Sequence, residues 1–214
     1  MALRVFGLTG GIGSGKSAVA QRLRARGLPV VNADDLARAA VAPGSLGLAR
    51  IRDYFGPSVL TAQGELDRAK LAKIVFSDPE ARRMLDSMIH PIVRQLAAER
   101  FEAIAEQGEP LACYEVPLLF EGKQDHLYHP VLVVSAPLAV REQRIAQRDG
   151  FDAAQIAARI AAQMPLEEKV RRADYVIENS GTVEELAEAT DRALSALCDS
   201  LAIPIARYPA RPLS

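Results

Sequence analysis

The chain has 214 residues, 49% of them apolar and 25% charged, the balance of a globular protein and not of a disordered or fibrous one. Lys and Arg number 26 against 27 Asp and Glu, so no basic excess exists to neutralise a run of phosphates, and nucleic-acid binding as a main activity is disfavoured. Cys113 and Cys198 have no C-x-x-C spacing, and no apolar run reaches the roughly 20 residues of a membrane span. These features predict a cytoplasmic protein with reduced thiols, no membrane partner and no nucleic-acid partner.

Residues 4–9 form the first of five short apolar runs; the others are 29–32, 111–116, 131–136 and 175–178. They are rich in β-branched residues and barely alternate, as strands do when helices cover both sheet faces. Directly after the first run, Gly10, Gly11, Ile12, Gly13, Ser14, Gly15, Lys16 and Ser17 fit G-x-x-x-x-G-K-[ST] without deviation. In that motif the glycines let backbone N–H groups turn inward around a β-phosphate, with no Cβ in the way. Lys16 is expected to reach the β- and γ-phosphates, and the Ser17 hydroxyl to bind Mg²⁺. A helix opening near Gly15 would aim its positive dipole end at the same phosphates. The expected fold is therefore an α/β P-loop NTPase, three-layered around a five-stranded parallel sheet.

After the second run come Asn32, Ala33, Asp34 and Asp35. The carboxyl ends of parallel strands form the ligand crevice, so a carboxylate here can accept the proton of an attacking hydroxyl. Asp35 is expected to cap the next helix and Asp34 to do chemistry. The third run is too distant for one crossover helix, which implies a helical insertion of roughly 75 residues. Within it, Ser77, Asp78, Pro79 and Glu80 signal a helix start, and Met84, Leu85, Met88 and Ile89 make one apolar face. Pro91 is expected to break or kink that helix after His90, with a second helix continuing to about residue 107.

Beyond the fourth run, residues 140–163 read as helix, interrupted near Asp149 and Gly150. Arg141, Arg144 and Arg148 share one face at three- and four-residue spacing, as in a small helical lid that closes over a nucleotide. Arg148 and Arg144 are the residues chosen to meet the phosphates. A last helix is expected from Thr182, with Glu185 completing a capping box, to about Leu201, followed by a loosely held tail from Pro204. The predicted organisation is a nucleotide-binding core (1–32, 108–139 and 166–214), a helical acceptor-binding insertion (33–107) and a lid (140–165).

A P-loop alone does not separate kinases from GTPases and motor ATPases. The chain has no N-K-x-D for reading guanine, and the third run holds Glu115 as its only acid, so the motor reading stays open. The segment 9–17, Asn32 to Asp34 with Ala37 and Arg38, residues 64–68, Val75 with Phe76, His90 with Pro91, residues 115–121, Arg148 with Asp149, and 173–179 closely resemble dephospho-coenzyme A kinases. The resemblance implies ATP as donor and the ribose 3′-hydroxyl of dephospho-coenzyme A as acceptor, with Mg²⁺ assisting. It implies an Arg-bearing lid and Asp34 as the base; with the motif and the arginine face, the expected catalytic residues are Lys16, Asp34 and Arg148, with Gly11 to Ser17 and Arg144 binding ATP. Asp34, Arg38, His90, Pro117, Leu118 and Leu119 are implied on the acceptor side. Where that family commonly has Asp-Ala-Asp, this chain has Asn32-Ala33-Asp34, which leaves Asp34 as the one base. Another nucleotide or nucleoside kinase is the nearest alternative; a non-catalytic nucleotide-binding switch is a more distant one. A monomer or weak homo-oligomer is expected.

Overall fold

The computed structural model describes residues 2–212. Five strands form one parallel sheet: β1 (Arg4–Gly10), β2 (Val30–Asn32), β3 (Leu111–Glu115), β4 (Val131–Ser135) and β5 (Tyr175–Glu178), in the order β2-β3-β1-β4-β5. Arg4 lies opposite Leu111, Gly7 opposite Val131, and Leu132 opposite Tyr175. The helices among the described residues are α1 (Lys16–Ala25), α2 (Ala33–Ala40), α3 (Leu46–Phe55), α4 (Arg68–Ser77), α5 (Pro79–Glu106), α6 (Leu138–Asp149), α7 (Ala153–Ala161), α8 (Leu166–Arg171) and α9 (Val183–Ser200). By contacts the chain divides into two compact units, one running to Val31 and resuming at Ile104, the other Asn32–Ala103.

The first unit holds the sheet. Phe6, Leu8, Cys113, Leu132 and Val134 of its central strands pack with Val19 and Leu23 of α1 and Leu194 and Leu197 of α9 in one buried cluster. All five side chains of β3 are buried, which explains its near-continuous apolar run. Local signals set the helix ends. Asp152 with Gln155 caps α7, and Thr182 with Glu185 caps α9, each by a reciprocal capping box. Gly150, at φ 68, closes α6 in a left-handed turn that a side chain would disfavour.

The tail departs from expectation. Tyr208 is 1% exposed and its carbonyl accepts from Arg26, while the Arg211 carbonyl accepts from Arg22 Nη1 at 2.7 Å. A large aromatic at the end of a polar segment anchors it, and the buried Arg26 and half-buried Arg22 satisfy carbonyls that come with it. Residues 204–212 are therefore held against the first unit.

The second unit is helical, with its own core of Val41, Ile51, Val59 and Leu71, against which Leu85 and Ile89 of α5 pack. Asp78 Oδ1 accepts from the N–H groups of Glu80 and Ala81, so α5 begins where its sequence signals say. It does not stop at Pro91. The helix runs through that proline for 28 residues. Proline removes one N–H and crowds the Ser87 carbonyl, but long flanks and the packing of Leu85 and Ile89 keep one element.

Candidate active site

In the first unit β1 delivers the chain to a turn and α1 carries it away. Gly13 has φ 77 and Gly15 φ 93, values that suit glycine and turn the backbone inward. Space enforces the same choice, because a Cβ on Gly15 would lie 2.1 Å from Asn179 Nδ2. No side chain caps α1 and no acid sits in its first turn, unlike the capped α7 and α9. Its leading N–H groups and positive dipole end are left for an anion.

Lys16 donates from Nζ to Glu115 Oε1 at 2.6 Å, and Glu115 is 1% exposed at the end of β3. Arg24 Nη2 lies 3.6 Å from the other Glu115 oxygen. A carboxylate this deep needs cationic partners to offset its desolvation. The Ser17 side chain is exposed beside the turn.

Two arginines of α6 complete the surround. Arg141 is buried, and its Nε donates to the Ile12 carbonyl at 3.0 Å. Burial lowers its pKa, although Glu167 and Glu142 act the other way; a guanidinium stays charged regardless. Arg144 reaches Asn179 through both terminal nitrogens, at 3.3 Å to the carbonyl and 3.2 Å to Oδ1. Asn179 in turn donates from Nδ2 to the Ser14 carbonyl at 2.8 Å. Strand end, turn and α6 are thus joined by hydrogen bonds spanning 35 to 165 residues of sequence.

The structure brings together Gly11 to Ser17 and Arg144. It does not add Arg148, whose exposed guanidinium is held by its neighbour Asp149 at 2.7 Å. That hydrogen bond raises the arginine's pKa, and the same contact lowers that of Asp149. Arg141 stands at the turn in its place. The three arginines share a helix face, but Arg148 is two turns further from the glycines, about 10 Å along the axis. Leu119 is fully buried, near enough to Gly7 that a Cβ there would be 2.7 Å from its Cδ1. Its side chain belongs to the core, whereas Leu118 is 43% exposed. The Pro117 carbonyl accepts from Thr9 Oγ1 and Lys169 Nζ, each at 3.1 Å.

The residues of the second unit that the sequence reading expects on the acceptor side have local partners. Asn32, not Asp35, is the N-cap of α2: its Oδ1 accepts from the N–H groups of Asp34 at 2.8 Å and Asp35 at 3.2 Å. A short polar side chain in extended geometry right at the strand end wins the cap over one inside the first turn. Asp34 is exposed, and Asp35 pairs with Arg38 at 3.1 Å. His90 lies mid-helix, 3.8 Å from Asp86 Oδ1 and 66% exposed, so a helix N-terminus does not act on it.

Does this turn suit ATP and Mg²⁺? Glycines that no side chain could replace, an uncapped helix start and three cations suit a polyphosphate. No cluster of three or more His, Cys, Asp or Glu suited to a metal exists among the described residues. Mg²⁺ at a phosphate site needs only one or two protein oxygens beside water and phosphate, and the Ser17 hydroxyl provides such an oxygen.

A sequence model of dephospho-CoA kinase matches residues 4–185. The chain belongs to the dephospho-CoA kinase family. It is 51% identical over 195 residues to the dephospho-CoA kinase of Anaeromyxobacter dehalogenans, covering 91% of this chain and 92% of that one. A crystal structure from Thermus thermophilus superposes with TM-score 0.81 at 40% identity, covering 94% and 99% of the two chains. The dephospho-CoA kinase of Campylobacter jejuni gives 0.69 at 26% identity, covering 92% and 98%.

Arg141, Asn179, Glu115 and Gln163 are the contacts that sequence reading left out of the site. Asn179 and Glu115 had a usable signal, since both stand at the carboxyl end of a strand, where ligands of parallel sheets gather. Gln163 had none, because its partner lies 151 residues away.

Proposed function

We propose that this chain transfers the γ-phosphoryl group of ATP to the ribose 3′-hydroxyl of dephospho-coenzyme A, giving coenzyme A and ADP, the final step of coenzyme A synthesis. What carries the reading is a phosphate cradle of P-loop geometry in a chain that matches the dephospho-CoA kinase family from residue 4 to 185. The backbone N–H groups of residues 13–17 hold the β-phosphate. Lys16 neutralises charge on the transferring group, with Glu115 fixing the lysine's approach. The Ser17 hydroxyl would hold Mg²⁺, which would supply further charge neutralisation.

Residues 140–165 act as the lid. Arg141 and Arg144 bring positive charge to the turn and exclude water, which would otherwise take the phosphoryl group. On the acceptor side Asp34 takes the proton of the 3′-hydroxyl. Arg38 and His90 meet the anionic and ribose parts, and the exposed Leu118 offers an apolar contact. Balanced net charge, two buried thiols and the lack of any helix long and apolar enough to cross a membrane among the described residues support a cytoplasmic protein, monomeric or weakly self-associating.

The test is ADP release from ATP and Mg²⁺ with dephospho-coenzyme A, adenosine or AMP as acceptor. Stimulation by dephospho-coenzyme A alone is expected. Stimulation by AMP or adenosine instead would keep the kinase and discard the acceptor, and no stimulation at all would leave a nucleotide-binding switch.

A further inference from the structure

The tip of the phosphate turn is held by two side chains from far along the sequence. Ile12 stands between two glycines, so the local backbone does little to fix the orientation of its peptide groups. Its N–H donates to Gln163 Oε1 at 2.9 Å, and its carbonyl accepts from Arg141 Nε at 3.0 Å. Both main-chain polar groups of one residue are therefore claimed by the segment that follows β4. The next residue is fastened elsewhere: the Met164 N–H donates to Glu121 Oε1 at 2.9 Å. Glu121 in turn pairs at 2.8 Å with Lys169, which is fully buried. The 163–169 segment thus keeps its anchorage whether or not Gln163 carries an amide.

We infer that Gln163 is a positioning residue for the phosphate cradle. Its side-chain carbonyl accepts the Ile12 N–H and so fixes the Gly11–Ile12 peptide, at the entry to Gly13 and Gly15. Without that acceptor the Ile12 N–H turns to water, and the glycine-flanked turn samples orientations unable to receive a phosphate. Ordering it then falls on ATP binding, and the loss appears in donor affinity. The Pro117 carbonyl, proposed on the acceptor side, is held instead by Thr9 and Lys169. The inference rests on the reading of residues 10–17 as the ATP cradle.

Gln163→Met keeps side-chain length and removes the strong acceptor; Gln163→Glu keeps the acceptor. In Gln163→Met the KM for ATP should rise on the order of five- to tenfold, the loss of one hydrogen bond. The KM for dephospho-coenzyme A, kcat and the melting temperature should stay near the parent values. Amide exchange at Ile12, followed by NMR without ligands, should accelerate about fivefold or more in Gln163→Met and remain slow in Gln163→Glu. Unchanged Ile12 exchange in Gln163→Met, or equal rises in both KM values, would overturn the assignment. If the parent protein shows no acceptor-stimulated ADP release, the kinase reading fails, and Ile12 exchange still decides whether Gln163 holds the turn.

Discussion

The phosphate turn and the acceptor-side helices are built in different ways. At the turn, Lys16, Arg141 and Asn179 are nearly buried, and each is held by partners 99 to 165 residues distant in sequence. In the helical unit, Asp34 and Arg38 are exposed; Arg38 pairs with Asp35 and His90 with Asp86, three and four residues away on their own helices. Burial with long-range bonding makes a site that exists before its ligand arrives. Exposed, locally paired side chains exchange partners at little cost, because surface ion pairs contribute no more than about 1 kcal/mol. The proposed donor half is thus preorganised, and the proposed acceptor half displays its side chains on helices.

Removing the chemistry from either half should separate them most clearly. Asp34→Asn should lower kcat on the order of 10²- to 10⁴-fold if that carboxylate is the base, with little change in the KM for ATP; an unchanged kcat takes the role away. Lys16→Ala should reduce turnover by about 10²- to 10³-fold, more than it weakens acceptor binding. Equal damage to kcat and to the dephospho-coenzyme A KM would blur the division between the halves.

Arg141 and Arg148 sharpen it further. Arg141→Ala should cost about tenfold or more in kcat/KM for ATP, since it removes both a charge and the bond to the Ile12 carbonyl. Arg148→Ala should fall within about twofold of the parent, because its charge is already met by Asp149 in solvent. The reverse ranking would return the lid charge to Arg148.

The remaining expected effect is on stability. Asp191 joins α9 to α1 by accepting from Arg22 at 2.6 and 2.9 Å, with Arg26 at 3.1 Å. Burial pushes its pKa up, but those two guanidinium groups win and hold it below the usual value. A carboxylate with a depressed folded-state pKa stabilises fully above its unfolded value, and the contribution is lost as pH falls through the folded one. Asp191→Asn should therefore cost about 2–3 kcal/mol at neutral pH and much less in acid, read from denaturant midpoints across pH. A constant difference at all pH values would remove the charge from the explanation.

Much of this was legible locally. The G-x-x-x-x-G-K-S turn, the five strands and the capping box at Thr182 are patterns within a few residues, and the structure has them where the sequence puts them. The misses share a cause, which is tertiary context. Pro91 lies inside a helix that packing keeps whole, and Tyr208 draws the tail into the core. The exception is Asn32, a local cap that takes the place expected for Asp35 by accepting from N–H groups two and three residues on. Arg141 and Gln163 acquire meaning only when α6 and residue 163 meet the turn.

The most direct test of the account follows the phosphorus. Incubating the protein with γ-labelled ATP, Mg²⁺ and dephospho-coenzyme A, then locating the label by ³¹P NMR and mass spectrometry, reports donor, acceptor and position together. The account predicts one labelled phosphate on the ribose 3′-oxygen for each ADP formed. Label released as free phosphate, or found on any other hydroxyl, would contradict it.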